Sequence, residues 1–261
     1  MEHLRQLQLE EKKILQDFQQ LCNNHGLIFY ISAGTLLGSV RHGGFIPWDD
    51  DIDVIMPRKD FDQLSAIFAD SPLKNYFFQT RNTDPGYPYF FAKLRKNGTH
   101  VEEPSLRETS MHKGIYIDIF PLDICPRSDW GGRLYFKWVE QLQCAVMANV
   151  NPGFSCGYTK KYMVALHKSL TLLPTYWIDR LWHMTRYVLK TICRGTRLST
   201  ACASHGYPYE TYDSGWFSSV VQMRFEDTFL PAPAGWHELL TNMYGNYMAP
   251  PPEEERQGHF E

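Results

Sequence analysis

Apolar positions at the start of the chain recur every three or four residues, at Leu4, Leu7, Leu9, Ile14, Leu15, Phe18 and Leu21. That period predicts an amphipathic helix over Glu2–Asn23, closed by Gly26. The pattern then changes. Leu27–Ile31 is a short continuous apolar run and predicts a buried strand, Thr35–Arg41 suits a short helix, and Asp51–Met56 reads as a second strand. Pro57 opens a helix to about Ala69, with acids in its first turn. Further strands are expected at Tyr76–Thr80, Tyr89–Arg95, Ile115–Phe120 and Val220–Phe225. Further helices are expected at Gly131–Val150, Thr159–Leu173, Tyr176–Cys193 and Trp236–Met243. Strands interrupted by a helical block give an α+β fold, a small mixed β-sheet core flanked by helices. The chain reads as a single domain over 1–261, with a helical basic insertion at 130–205. There is no internal repeat.

The chemistry concentrates between Ile46 and Val54, where Asp49, Asp50, Asp51 and Asp53 occupy four of five consecutive positions. If Asp51–Met56 is a strand, alternation sends Asp51 and Asp53 to one face, a few ångströms apart. Two carboxylates that close repel unless a cation lies between them, and a hard divalent ion with oxygen ligands, Mg²⁺ or Mn²⁺, is the natural occupant. A solvated acidic loop is the other reading of the spacing. Just upstream, Ser32–Phe45 carries small residues at a strand-to-helix junction, where backbone amides can approach a phosphate. The glycines alone would be weak evidence, since loops are rich in glycine. A third carboxylate, Asp118, is embedded in the apolar run Ile115–Phe120. Burying it is costly unless something compensates: a metal, a general-base task or a salt bridge to a neighbouring Arg or Lys. Asp123, just beyond Pro121, is a weaker competitor.

Gly34-Thr35-Leu36-Leu37-Gly38-Ser39-Val40-Arg41-His42-Gly43-Gly44-Phe45-Ile46-Pro47-Trp48-Asp49-Asp50-Asp51-Ile52-Asp53-Val54 resembles the signature of the LicD/fukutin family. Weaker echoes follow at Phe91–Arg95, Gly114–Asp123 and Phe225–Phe260, while Trp130–Cys202 matches no known pattern. The resemblance implies a nucleotidyltransferase-type fold. It also implies transfer of phosphocholine from CDP-choline, or a related CDP-donor, to a sugar hydroxyl of teichoic acid or lipopolysaccharide. On this model Asp51, Asp53 and Asp118 hold Mg²⁺ or Mn²⁺, and Asp118 takes the proton from the attacking hydroxyl. Gly34 and Thr35 cradle donor phosphate, with Arg41 and Lys93 as cationic contacts. Arg256 and His259 match the family's closing motif and join them. A quaternary ammonium needs an aromatic face, and Trp48, beside the acidic cluster, is the first candidate. Three alternatives remain: transfer of another alditol or sugar phosphate such as ribitol phosphate, a plain nucleotidyltransferase, and a silent relative that binds a nucleotide or polyanion.

Composition narrows the setting. No run of about twenty uncharged apolar residues is present, which argues against a membrane span. The charged start, Met1–Gln6, has no signal-peptide core, so a cytoplasmic location is the expectation. Six scattered cysteines, none in a C-x-x-C pair, read as free thiols. The net charge of −3 is unevenly spread: residues 131–197 carry ten basic against two acidic residues, leaving −11 for the remainder. The same segment is rich in Tyr and Trp. That combination suits an anionic or lipid-linked glycan acceptor, or peripheral contact with the inner face of the membrane. Nucleic acid is not expected, because no recognition motif accompanies the charge. A core-facing aromatic stripe with snorkelling lysines is the competing reading.

Overall fold

The computed structural model describes residues 2–71, 73–107, 109–151, 153–193, 195–256 and 258. Helix α1 (Glu2–His25) buries Ile14, Leu15, Phe18 and Cys22 completely. Of the stripe read from its periodicity, Leu4, Leu7 and Leu21 are half-buried and Leu9 is exposed, because Gln8 and Glu11 take the core-facing positions of the first turns. Gly26, at φ +64, turns the chain out of the helix through a conformation that favours glycine.

Five strands form the main sheet in the order β1 (Tyr30–Ile31), β2 (Asp53–Pro57), β5 (Tyr116–Ile124), β4 (Ala92–Lys96), β3 (Tyr76–Gln79). Only β2 and β5 run parallel; the other pairs are antiparallel. Helix α2 (Ala33–His42) joins β1 to the loop before β2, and α3 (Arg58–Asp70) follows β2 directly. The far end of β5 pairs with β6 (Arg197–Ser199), which pairs with β7 (Thr211–Asp213). A separate hairpin, β8 (Val220–Phe225) and β9 (Thr228–Pro233), lies against β1, and α7 (Trp236–Tyr244) follows it. The architecture is thus a mixed sheet with helices around it.

Some elements differ from the sequence reading. Leu27 and Phe29 are buried and Ile28 is exposed, and all three lie outside the ladder, so β1 is only two residues long. Strand β5 runs on through Pro121 to Ile124 rather than stopping at Phe120. β6, β7 and β9 were not anticipated. β9 contains Pro231 and Pro233, which weigh against a strand. They fall at alternate positions of a two-stranded ladder, where every second amide points away from the partner.

The helical block is α4 (Asp129–Val150), α5 (Lys161–Thr171) and α6 (Thr175–Ile192), with α5 and α6 both packed on α4. A second core forms between these helices and Tyr87–Phe91, and Phe120 touches both cores. The aromatic residues of this block divide between core and surface. Tyr135, Phe136 and Trp182 are buried, whereas Tyr162, Tyr176, Trp177 and Tyr187 are exposed.

Candidate active site

The acidic segment enters the sheet at Asp53, two residues later than the alternation suggested, but the alternation itself persists. Ile52 is fully buried in the core, and Asp51 and Asp53 both line one cavity of about 690 Å³. The register then assembles the rest. Asp53 of β2 stands level with Asp118 of β5, and Asp118 stands level with Lys93 of β4. Three strands therefore place two carboxylates and an ammonium in a row across the sheet. Asp118 and Lys93 line the same cavity.

Helix α2 closes the cavity from the β1 side through Ser32, Ala33 and Gly34. The first turn of a helix has no internal partners for its amides and carries the positive end of the dipole. Its anchorage is tight: Ser32 N–H donates to Asp53 O at 3.0 Å, and Asp53 N–H donates to the Thr35 hydroxyl at 2.8 Å. Ala33 has φ +43, an uncommon conformation for a residue with a Cβ, and it lies at this junction. A Cβ at Gly34 would come within 2.5 Å of an Asp49 carboxylate oxygen, so glycine is what allows Asp49 to close over the helix end. Thr35 is buried and does not line the cavity; its hydroxyl holds Asp53 in place instead.

Charge is heavily one-sided here. The ligand oxygens of Asp49, Asp50 and Asp51 can all lie within 4.8 Å of one another. Asp50 is buried, and a Cβ at Gly258 would lie 2.4 Å from its Oδ2, so this carboxylate faces the C-terminal tail. Burial raises Asp53 well above the usual carboxylate range, with Asp51 and Asp118 adding to the effect and Lys93 opposing it. Burial likewise pushes Asp118 up to about 6, against the pull of Lys93. Beneath the cluster, Glu11 of α1 is buried and raised well above its ordinary value by burial and by the same aspartates. A set of oxygen donors whose charges repel this strongly fits a hard divalent cation.

Lys93 is built into the cluster rather than held out over it. Its Nζ lies 2.9 Å from Asp118 Oδ1 and 3.3 Å from Glu103 Oε2, directly above the Tyr116 ring at 3.3 Å. Glu103 also pairs with the fully buried Arg95, which donates to Gly114 O. Burial works to raise Glu103, yet Lys93 and Arg95 together hold it below its ordinary value. The salt-bridge reading of Asp118 is therefore realised alongside the cluster. Asp123 has a different fate: Arg58 grips it at 2.8 and 2.6 Å, which marks it as a structural ion pair.

The remaining candidates are distributed around the rim. Arg41 lines the cavity and donates to Tyr247 O at 2.9 Å. Trp48 also lines it, but the Arg256 guanidinium stacks on its ring at 5.1 Å. Arg256 itself donates to Pro251 O and does not line the cavity. His259 lies outside the described residues. Sequence reasoning missed Asp49 as a cavity residue, Glu103 as the second partner of Lys93, and the tyrosine wall of Tyr89, Tyr116, Tyr212 and Tyr244. Asp49 was within the acidic motif; the others carry no local signal, because topology alone brings them together.

Comparison with known proteins bears on this region. Residues 26–129 match the family model described as LicD/FKTN/FKRP, nucleotidyltransferase domain. The span includes the first turn of α2, the aspartates, Lys93, Glu103 and Asp118. A protein named lipopolysaccharide cholinephosphotransferase LicD, from Haemophilus influenzae, is 26% identical over 265 residues, covering 98% of this chain and 95% of its own. Mannosyltransferase regulator 14 of Saccharomyces cerevisiae is 30% identical over 131 residues, 49% of this chain but 14% of that protein. An uncharacterized protein of Rickettsia typhi is 38% identical over 74 residues, 25% of this chain and 24% of its own.

Proposed function

The chain belongs to the LicD family, and on that footing we propose that it transfers phosphocholine from CDP-choline to a sugar hydroxyl of a cell-surface glycan. One observation carries the reading: Asp51, Asp53 and Asp118 line the same cavity as the first turn of α2. Near-full-length similarity to a lipopolysaccharide cholinephosphotransferase supports the choice of transferred group.

Each residue has a physical task on this model. A divalent cation held by Asp51, Asp53 and Asp118, with Asp49 beside them, would neutralise charge on the donor diphosphate. The amides of Ala33 and Gly34 receive donor phosphate at the positive end of α2. Arg41, at the rim, supplies a fixed positive charge for a phosphate oxygen. Thr35 keeps Asp53 in register through the 2.8 Å hydrogen bond. Asp118, raised to about 6, is ionised at neutral pH yet basic enough to accept the acceptor hydroxyl proton. Lys93 limits that rise and keeps Asp118 from taking up a proton prematurely. The quaternary ammonium suits Tyr89 and Tyr244 of the cavity wall better than Trp48 or Tyr116, whose rings already carry Arg256 and Lys93.

The test is product analysis. With CDP-choline, Mg²⁺ and a glycan acceptor, the protein should release CMP and add the mass of phosphocholine to the glycan. Release of pyrophosphate from CTP, or use of CDP-ribitol in preference to CDP-choline, would replace this assignment with one of its alternatives.

A further inference from the structure

Helix α6 carries apolar residues on a second face beside the one it buries. Ile178, Trp182 and Leu189 are buried in the second core, while Trp177, Met184, Val188 and Ile192 are exposed at the i, i+7, i+11, i+15 spacing of a single outer face. The preceding turn adds Leu172 at 85% exposure, and α5 adds Tyr162 at 64%. An exposed apolar patch of this kind marks an interaction site.

The charges alongside say what covers it. Lys160, Lys161, Lys168, Arg180 and Lys190 are exposed along the same two helices. Arg180 lies beside the rings of Tyr176 and Trp177, at 4.9 and 5.8 Å. The only acid in residues 159–193 is Asp179, and Arg81 already occupies it. Tyr, Trp and aliphatic residues ringed by Lys and Arg have the composition of a helix lying in a bilayer interface. Among the described residues no helix is long and apolar enough to cross a membrane. A second copy pairing through this face would set like charges against each other. A purely polyanionic partner would leave the aliphatic side chains uncovered.

We propose that α5, α6 and the Leu172 turn form a docking surface for the interface of an anionic lipid bilayer. Aromatic and aliphatic side chains enter the headgroup region, and the five cations engage anionic headgroups. The docking does not depend on the transferase reading; if both hold, the cavity operates beside a membrane.

Vesicle flotation with the full chain tests this. Binding to vesicles containing phosphatidylglycerol should be strong at low salt, weaker at high salt, and weak for phosphatidylcholine alone, since surface attraction is screened over roughly 8 Å at physiological ionic strength. The variant Leu172→Glu/Trp177→Glu, at exposed positions, should bind at least about tenfold more weakly with an unchanged melting temperature. Lys160→Glu/Lys161→Glu/Lys168→Glu should lose the salt-sensitive part alone. Failure to float with anionic vesicles at low salt, or equal flotation by Leu172→Glu/Trp177→Glu, overturns the proposal. So does a dimer in sedimentation that Leu172→Glu/Trp177→Glu dissociates, because it would assign the face to a second copy.

Discussion

Replacing Lys93 by methionine removes a charge while keeping the length and apolar stem of the side chain. The ammonium is 3% exposed and lies 2.9 Å from Asp118 and 3.3 Å from Glu103. Removing one partner of a buried pair leaves an uncompensated charge and costs about 3–5 kcal/mol. Glu103 retains Arg95, so most of that cost falls on Asp118. For a chain of this size 1 kcal/mol shifts the melting temperature by roughly 2–4 °C, so Lys93→Met should melt about 10 °C lower at pH 8 without metal. The pH dependence identifies the cause. Asp118 already titrates at about 6 when folded, above its unfolded value, and losing Lys93 raises it further. A carboxyl raised on folding contributes stability below its unfolded pKa and loses it as pH climbs through the folded value. The deficit of Lys93→Met should therefore shrink from pH 8 to pH 5.5, and saturating Mg²⁺ at pH 8 should restore part of it by binding the folded state. Melting followed by circular dichroism at both pH values, with and without Mg²⁺, reads all three effects. A melting temperature within 2 °C of wild type at pH 8, or a deficit independent of pH, would refute the idea that Lys93 compensates Asp118.

Asp53→Asn should reduce transfer by at least about a hundredfold while raising the metal-free melting temperature, because it relieves repulsion from Asp51 and Asp118; steady-state kinetics beside thermal melts would show both. Gly34→Val should weaken CDP-choline binding about tenfold or more in calorimetry with little change in melting temperature, since the Asp49 carboxylate 2.5 Å from the new Cβ can swing aside, but only by leaving its place at the cavity. Affinity for Mg²⁺, measured by titration from pH 5 to pH 8, should rise with pH through about 6 as Asp118 loses its competing proton.

How much of this was legible in the sequence depends on how local each signal is. The α1 stripe, the small residues of α2 and the paired carboxylates are short-range patterns: Ile14, Leu15 and Phe18 of α1 are buried though Leu9 is exposed, and Gly34, Asp51 and Asp53 line one cavity. Boundaries were less secure. Asp51 and Ile52 keep strand alternation without ladder pairing, and β5 runs on through Pro121. Thr35 and Lys93 were read as phosphate contacts from position alone. The Thr35 hydrogen bond is set by the packing of α2 against the start of β2, and the Lys93 ion pair by the register of β4 on β5. Glu103 was illegible for the same reason: nothing near Glu102–Pro104 indicates that it will meet Lys93 and Arg95. Asp118 and Asp123, the latter read as lying just beyond the strand, looked like competitors, and the approach of Arg58 and Arg186 to Asp123 distinguishes them.

The assignment of the site is tested most directly by anomalous scattering from crystals grown with Mn²⁺ and CDP-choline. The account predicts a manganese peak among the carboxylates of Asp51, Asp53 and Asp118, with the donor diphosphate reaching from it toward the first turn of α2. A peak held elsewhere, or a donor bound with full occupancy and no metal at those aspartates, would contradict it.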